Sequence, residues 1–74
     1  MTVLRTYTRK VGSAEYGSNR TQEVMVVDEC PNKDSPAGYY QYTNPNGDCY
    51  YFYVGTTWTG DRVIMRTTKY GEIM

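Results

Sequence analysis

Two aromatic segments flank one short turn signal, and no other feature limits this chain's choice of fold as strongly. Gly38-Tyr39-Tyr40-Gln41-Tyr42-Thr43 leads into Asn44-Pro45-Asn46-Gly47-Asp48, and Cys49-Tyr50-Tyr51-Phe52-Tyr53-Val54 follows. Tyrosine and phenylalanine fit a pleated, half-buried surface. Asn-Gly between such runs supplies the positive φ angles of a tight hairpin turn. The segment therefore reads as a β-hairpin, with two registers open to it. A two-residue Asn46-Gly47 loop sets Cys49, Tyr51 and Tyr53 opposite Asn44, Tyr42 and Tyr40. A three-residue loop starting at Pro45, with Gly47 in the bulge, slips the pairing by one. Tyr42 then meets Tyr50 and Tyr40 meets Phe52.

The remaining segments also read as strands and loops. In residues 2–11, Val3, Arg5, Tyr7, Arg9 and Val11 fall on one side and Leu4, Thr6, Thr8 and Lys10 on the other. Residues 22–29 put Val24 and Val26 on one face and Met25 and Val27 on the opposite one, as a strand covered on both sides does. Residues 62–70 (RVIMRTTKY) fit a short helix or a strand, and their β-branched residues favour the strand. Residues 12–21, rich in glycine and serine, and residues 30–38, with two prolines, read as loops, and residues 55–61 (GTTWTGD) form a turn carrying Trp58. The expected fold class is all-β: a small antiparallel sheet of about five strands in meander order, curled into a partly open barrel. One domain spans residues 1–74.

A chain of 74 residues buries only roughly 60% of its surface on folding. Small cores of this kind gain from a disulfide, a metal or a partner chain. Cys30 and Cys49 are the only cysteines. A bond between them would add roughly 3 kcal/mol in the loop-entropy picture. Free thiols are nevertheless the expected state of two lone cysteines in a reducing compartment, with the disulfide as the alternative. No apolar run is long enough to cross a bilayer and no secretory leader is visible, so the sequence reads as a cytoplasmic chain without membrane contact.

Chemistry is hard to place on these residues. Histidine is absent, which removes the usual general base, metal ligand and pH switch together. The glycines are too scattered to cradle a phosphate. No spacing singles out a pair among Glu23, Asp28, Glu29, Asp48 and Asp61 for acid–base work. Cys30 and Cys49 lack further soft ligands, and Asn44, Asn46 and Asp48 lack the glycine and glutamate positions of a calcium loop. The expectation is a non-enzymatic protein with no cofactor and no metal.

Binding is what remains. Nine tyrosines are more than a core of this size calls for, and six of them lie in the hairpin. Exposed tyrosine offers a large contact area at low entropy cost, with a polar tip. Tyr39, Tyr40, Tyr42, Tyr50, Tyr51 and Tyr53 are therefore the expected contact residues for a protein partner, which the module would bind or inhibit. The bland alternative sends three inward and leaves three as cross-strand stabilisers. Eight basic and eight acidic residues balance, which gives no field favouring nucleic acid and little to oppose a homodimer. Small neutral β proteins of this composition are common among phage and mobile-element accessory proteins.

A second reading uses the same tyrosines to stack single-stranded nucleic acid or a nucleotide. Arg62 and Arg66 alternate with Ile64 on the last strand, as Arg5 and Arg9 alternate with Tyr7 on the first. If the first and last strands adjoin, the four arginines form one patch. Otherwise they blunt sheet edges against aggregation. Trp58 either caps the open end of the barrel or serves as a binding hot spot.

Overall fold

The computed structural model describes residues 1–11 and 20–67. Five strands form one sheet: β1 (Val3–Val11), β2 (Arg20–Val27), β3 (Gly38–Thr43), β4 (Cys49–Thr56) and β5 (Arg62–Arg66). Among the described residues there is no helix, so the fold is all-β. Of the expected loop at 12–21, residues 12–19 lie outside the described residues, as does the end of the last segment from residue 68, while Arg20 and Thr21 belong to β2 and not to the loop.

The sheet order follows the chain, β1-β2-β3-β4-β5, but β2 and β3 run parallel. The sheet is therefore mixed, which corrects the expected antiparallel meander. Residues 28–37 offer no short hairpin turn. Instead they form a ten-residue crossover that carries the chain back to the middle of β2, beside Val24, before β3 begins. Pro31 and Pro36 interrupt any regular ladder there. Asn32 folds the loop: its side-chain oxygen accepts the Asp34 N–H at 2.9 Å and its carbonyl accepts the Ser35 N–H at 2.9 Å.

The crossover lies on one face of the sheet and closes the core. Val27, Tyr40 and Val54 are buried there, with Met25, Tyr42 and Phe52 packed against them. Each fully buried aliphatic side chain contributes about 2 kcal/mol by removal from water. The Tyr40 hydroxyl donates to the Pro36 carbonyl, and the Arg62 guanidinium donates to the Ser35 carbonyl at 2.7 Å. These bonds tie the crossover to β3 beneath it and to β5 at the sheet's far edge. The loop thus buries the apolar face that a barrel would bury by curling. β1 and β5 remain at opposite edges, the sheet is open, and the expected barrel does not form.

The two connections that follow, β3–β4 and β4–β5, are hairpins with one design. In the β3–β4 turn the Gly47 N–H donates to the Asn44 carbonyl and the Asn44 N–H to the Asp48 carbonyl, both at 2.9 Å. In the β4–β5 turn the Gly60 N–H donates to the Thr57 carbonyl at 2.9 Å and the Thr57 N–H to the Asp61 carbonyl at 2.8 Å. Gly47 and Gly60 have φ of 91° and 93°, the left-handed conformation of a glycine bulge that follows a type I turn. Asn44-Pro-Asn-Gly-Asp48 and Thr57-Trp-Thr-Gly-Asp61 are two versions of one turn. The three-residue loop selects the second of the two expected registers: Tyr42 pairs with Tyr50 and Tyr40 with Phe52.

Candidate functional site

Side chains alternate along each strand, so the register divides the hairpin tyrosines between the faces. Tyr40, Tyr42 and Tyr50 point to the face that carries the crossover, with Phe52 and Val54. Tyr39, Tyr51 and Tyr53 point to the other. Tyr40 is fully buried and the other five are half-buried. The six expected contact residues therefore serve two surfaces. Tyr40 and Tyr42 belong to the core, and Tyr50 lies beneath the Arg66 guanidinium, 4.8 Å from its ring centre.

Among the described residues nothing but the strands themselves occupies the second face, called here the open face. Its centre is an aromatic and amide layer. The Tyr39 and Tyr53 rings sit 4.8 Å apart at 38°, a tilted pair. Tyr53 leans along its own strand over Gly55, where an added Cβ would stand 2.6 Å from the Tyr53 hydroxyl. The hydroxyls of Tyr39 and Tyr53 have no hydrogen-bond partner among the described residues, and no described side chain holds a buried unsatisfied polar atom. Both hydroxyls therefore meet solvent.

β1 completes this face. The Tyr7 hydroxyl donates to the Gln41 side-chain oxygen across two strands at 2.5 Å. The Arg5 guanidinium lies 5.3 Å from the Tyr7 ring centre and that of Arg9 4.2 Å from the Tyr51 ring centre. Arg9 also donates to the Gln22 side-chain oxygen at 3.3 Å. Val24, fully buried, pairs with Tyr7 on one side and Tyr39 on the other. The alternation of Arg5, Tyr7 and Arg9 was legible in the sequence. Their meeting with Gln41 and Tyr51 was not, because it depends on the order of strands.

Charge is segregated by this arrangement. Glu23 lies on the covered face, Asp28, Glu29 and Asp34 in the crossover, and Asp48 and Asp61 in the two turns. Among the described residues the open face carries Arg5 and Arg9 and no acid. Burial pushes the Tyr51 phenol up to about 12, helped by the neighbouring Tyr7 hydroxyl and Cys49. Tyr40 is likewise raised by burial, against the opposing pull of Arg62.

Two expectations of placement need correction. β1 and β5 are opposite edges, so the four arginines form no single patch. Arg5 and Arg9 belong to the open face, whereas Arg62 and Arg66 lie on the covered face, engaged with Ser35 and Tyr50. Trp58 caps nothing: it occupies the tip of the β4–β5 turn and is 97% exposed. Cys30 and Cys49 stand as free thiols, the first exposed in the crossover and the second half-buried at the start of β4. No three metal-ligating side chains converge among the described residues. No described helix is long and apolar enough to cross a membrane. Comparison with known proteins finds no family model, no curated protein and no solved structure that matches the chain.

Proposed function

We propose that the chain is a non-enzymatic binding module that engages another protein, as an inhibitor where it covers that protein's working surface, through the open face of its sheet. One observation carries this reading. The Tyr39–Tyr53 pair is half-buried against the sheet while both hydroxyls meet solvent, on a face that no described loop covers. Rings held in this way lose little freedom on binding and present both apolar area and polar tips. The Tyr7–Gln41 hydrogen bond fixes side chains beside them on the same face. The reading narrows the contact set to Tyr39, Tyr51 and Tyr53 with β1 residues, and moves Tyr40 and Tyr42 into a structural role.

The test is affinity capture from lysate of the source organism with the intact chain and with a Tyr39→Ala/Tyr53→Ala variant, each with and without nuclease. A stoichiometric protein held by the intact chain through nuclease treatment, and lost with the variant, supports the proposal. A protein held equally by both sinks this site.

A second reading rests on Arg5 beside Tyr7, on a face that carries no acid among the described residues. A single-stranded nucleic acid or a nucleotide would stack on the tyrosines and place phosphate near the arginines. It uses Arg5 and Arg9 in place of Arg62 and Arg66. It requires affinity for an oligothymidylate that weakens steeply with salt. Salt-insensitive binding, or none, removes it.

A further inference from the structure

The outer edge of β5 is unpaired in the described sheet. Two hydrogen bonds fix the phase of the β4–β5 ladder. The Thr57 N–H donates to the Asp61 carbonyl at 2.8 Å, and the Thr67 N–H donates to the Tyr51 carbonyl at 2.7 Å. Residues 61, 63, 65 and 67 therefore direct their backbone groups toward β4. Arg62, Ile64 and Arg66 occupy the alternate, non-hydrogen-bonded pairs, opposite Thr56, Val54 and Phe52. Their N–H and C=O groups point away from the sheet, and β5 is its last strand.

The side chains of the same three residues share a face and are exposed. Met65, on the other face, is 49% exposed, and Trp58 stands fully in solvent at the turn that begins this edge. The edge has neither the proline nor the bulge that usually blunts a free strand. Among the described residues, neither Arg62 nor Arg66 has a carboxylate partner; the Arg62 bond to Ser35 goes to a neutral carbonyl.

Charge decides what can pair here. In a second copy joined antiparallel about Ile64, Arg62 would face the second copy's Arg66 on the same side of the sheet. The other edge of the described sheet, β1, carries Arg5, Arg9 and Lys10 and no acid, so β1–β5 pairing between copies offers Arg62 and Arg66 no carboxylate. Like charges directly opposed weaken a strand pair. We propose that β5 accepts an extended segment of a partner protein with the pattern acidic–x–apolar–x–acidic. Its backbone bonds to residues 62, 64 and 66, its acids meet the two arginines and its central apolar residue meets Ile64. Main-chain bonds supply affinity and the alternate side chains supply selection, as in other strand additions.

The experiment uses the intact chain and three capped peptides: Thr-Glu-Thr-Val-Thr-Glu-Thr, its counterpart with lysine for glutamate, and the glutamate peptide with proline for valine. Amide hydrogen exchange is followed by NMR with peptide at millimolar concentration. The glutamate peptide is expected to slow exchange at Arg62, Ile64 and Arg66, and to bind about tenfold more tightly than the lysine peptide. The proline peptide is expected to give no protection. Arg66→Glu should narrow or reverse the preference between the charged peptides. Ile64→Pro removes an outward-facing N–H and the Ile64 side chain but no bond to β4, so residues 63 and 65 should keep their protection from β4 while peptide binding is lost. Equal binding of the charged peptides overturns the proposal, as does the absence of protection with any of them. Protection at Ile64 that appears without peptide and grows with protein concentration makes a second copy the occupant and overturns it too.

Discussion

Tyr53 lies across Gly55, two residues along its own strand, so closely that a methyl group on Gly55 would meet the Tyr53 ring at 2.7 Å. A strand glycine ordinarily weakens a sheet. Here its missing side chain is the seat of the aromatic ring that pairs with Tyr39. Gly55→Ala is expected to lift Tyr53 and break that pair. The lost ring contact, about 1 kcal/mol, is offset by the gain of alanine over glycine in a strand. Stability in urea should therefore change little, while the near-ultraviolet circular dichroism and the Tyr53 ring shifts change clearly. An unchanged Tyr53 environment would mean that the ring does not rest on this glycine.

The Tyr51 phenol makes the fold sensitive to alkali. Its pKa is raised to about 12 by burial first and then by the Tyr7 hydroxyl. In the unfolded chain it returns to an ordinary value near 10. Between these values the unfolded state releases a proton that the folded state keeps, so stability falls as pH rises from about 10 and levels above about 12. Tyr51→Phe should flatten this part of the profile. Urea midpoints measured from pH 8 to 12 on both proteins check the sign. A profile as steep in the variant as in the parent assigns the effect to another tyrosine.

Trp58 occupies the same turn position as Pro45 in the twin hairpin. That position favours the φ that proline fixes, and the Trp58 N–H donates no backbone bond in the turn. The side chain is solvent-exposed, so Trp58→Pro removes no packing. The variant is expected to be as stable as the parent or up to ~1 kcal/mol more stable through a restricted unfolded chain. A thermal midpoint well below that of the parent would show that the indole packs against something after all.

The twin turns also show where sequence reading stopped. Asn46-Gly47 announced one hairpin because asparagine and glycine both tolerate positive φ. Thr57-Trp-Thr-Gly-Asp61 makes the same turn with a single glycine at the bulge; its glycines marked a turn, but the composition of its other positions gave neither its type nor its register. The aromatic alternation of β3 and β4 was enough to identify both strands. The choice of register needed the Asn44–Asp48 pairing. The parallel crossover left no local mark, since residues 28–37 resemble any polar loop, and the burial of Pro31 and Ser35 appears only when the chain is seen on the sheet. The arginines illustrate the same limit. Spacing showed which ones share a strand face, but strand order decides which strands meet, and it separates Arg5 and Arg9 from Arg62 and Arg66 by the width of the sheet.

Tyr39 and Tyr40 are neighbours in sequence with opposite duties, and alanine at each should separate them. Tyr40 is fully buried, packs with Val27 and Val54, and donates its hydroxyl to the Pro36 carbonyl. Tyr40→Ala opens a cavity in the only core cluster among the described residues, at about 3–5 kcal/mol. That is a large part of the 5–15 kcal/mol typical of a whole domain, and a chain this short is expected near the lower end. The variant should be largely unfolded, whereas Tyr40→Phe should lose only about 1 kcal/mol with its hydrogen bond. Tyr39→Ala loses a half-buried ring and its contact with Tyr53, about 1 kcal/mol, and should keep a folded sheet. Urea denaturation of the three variants reads the contrast directly. If Tyr39→Ala unfolds the chain as Tyr40→Ala does, the open face is part of the core and the proposed contact surface is lost with it.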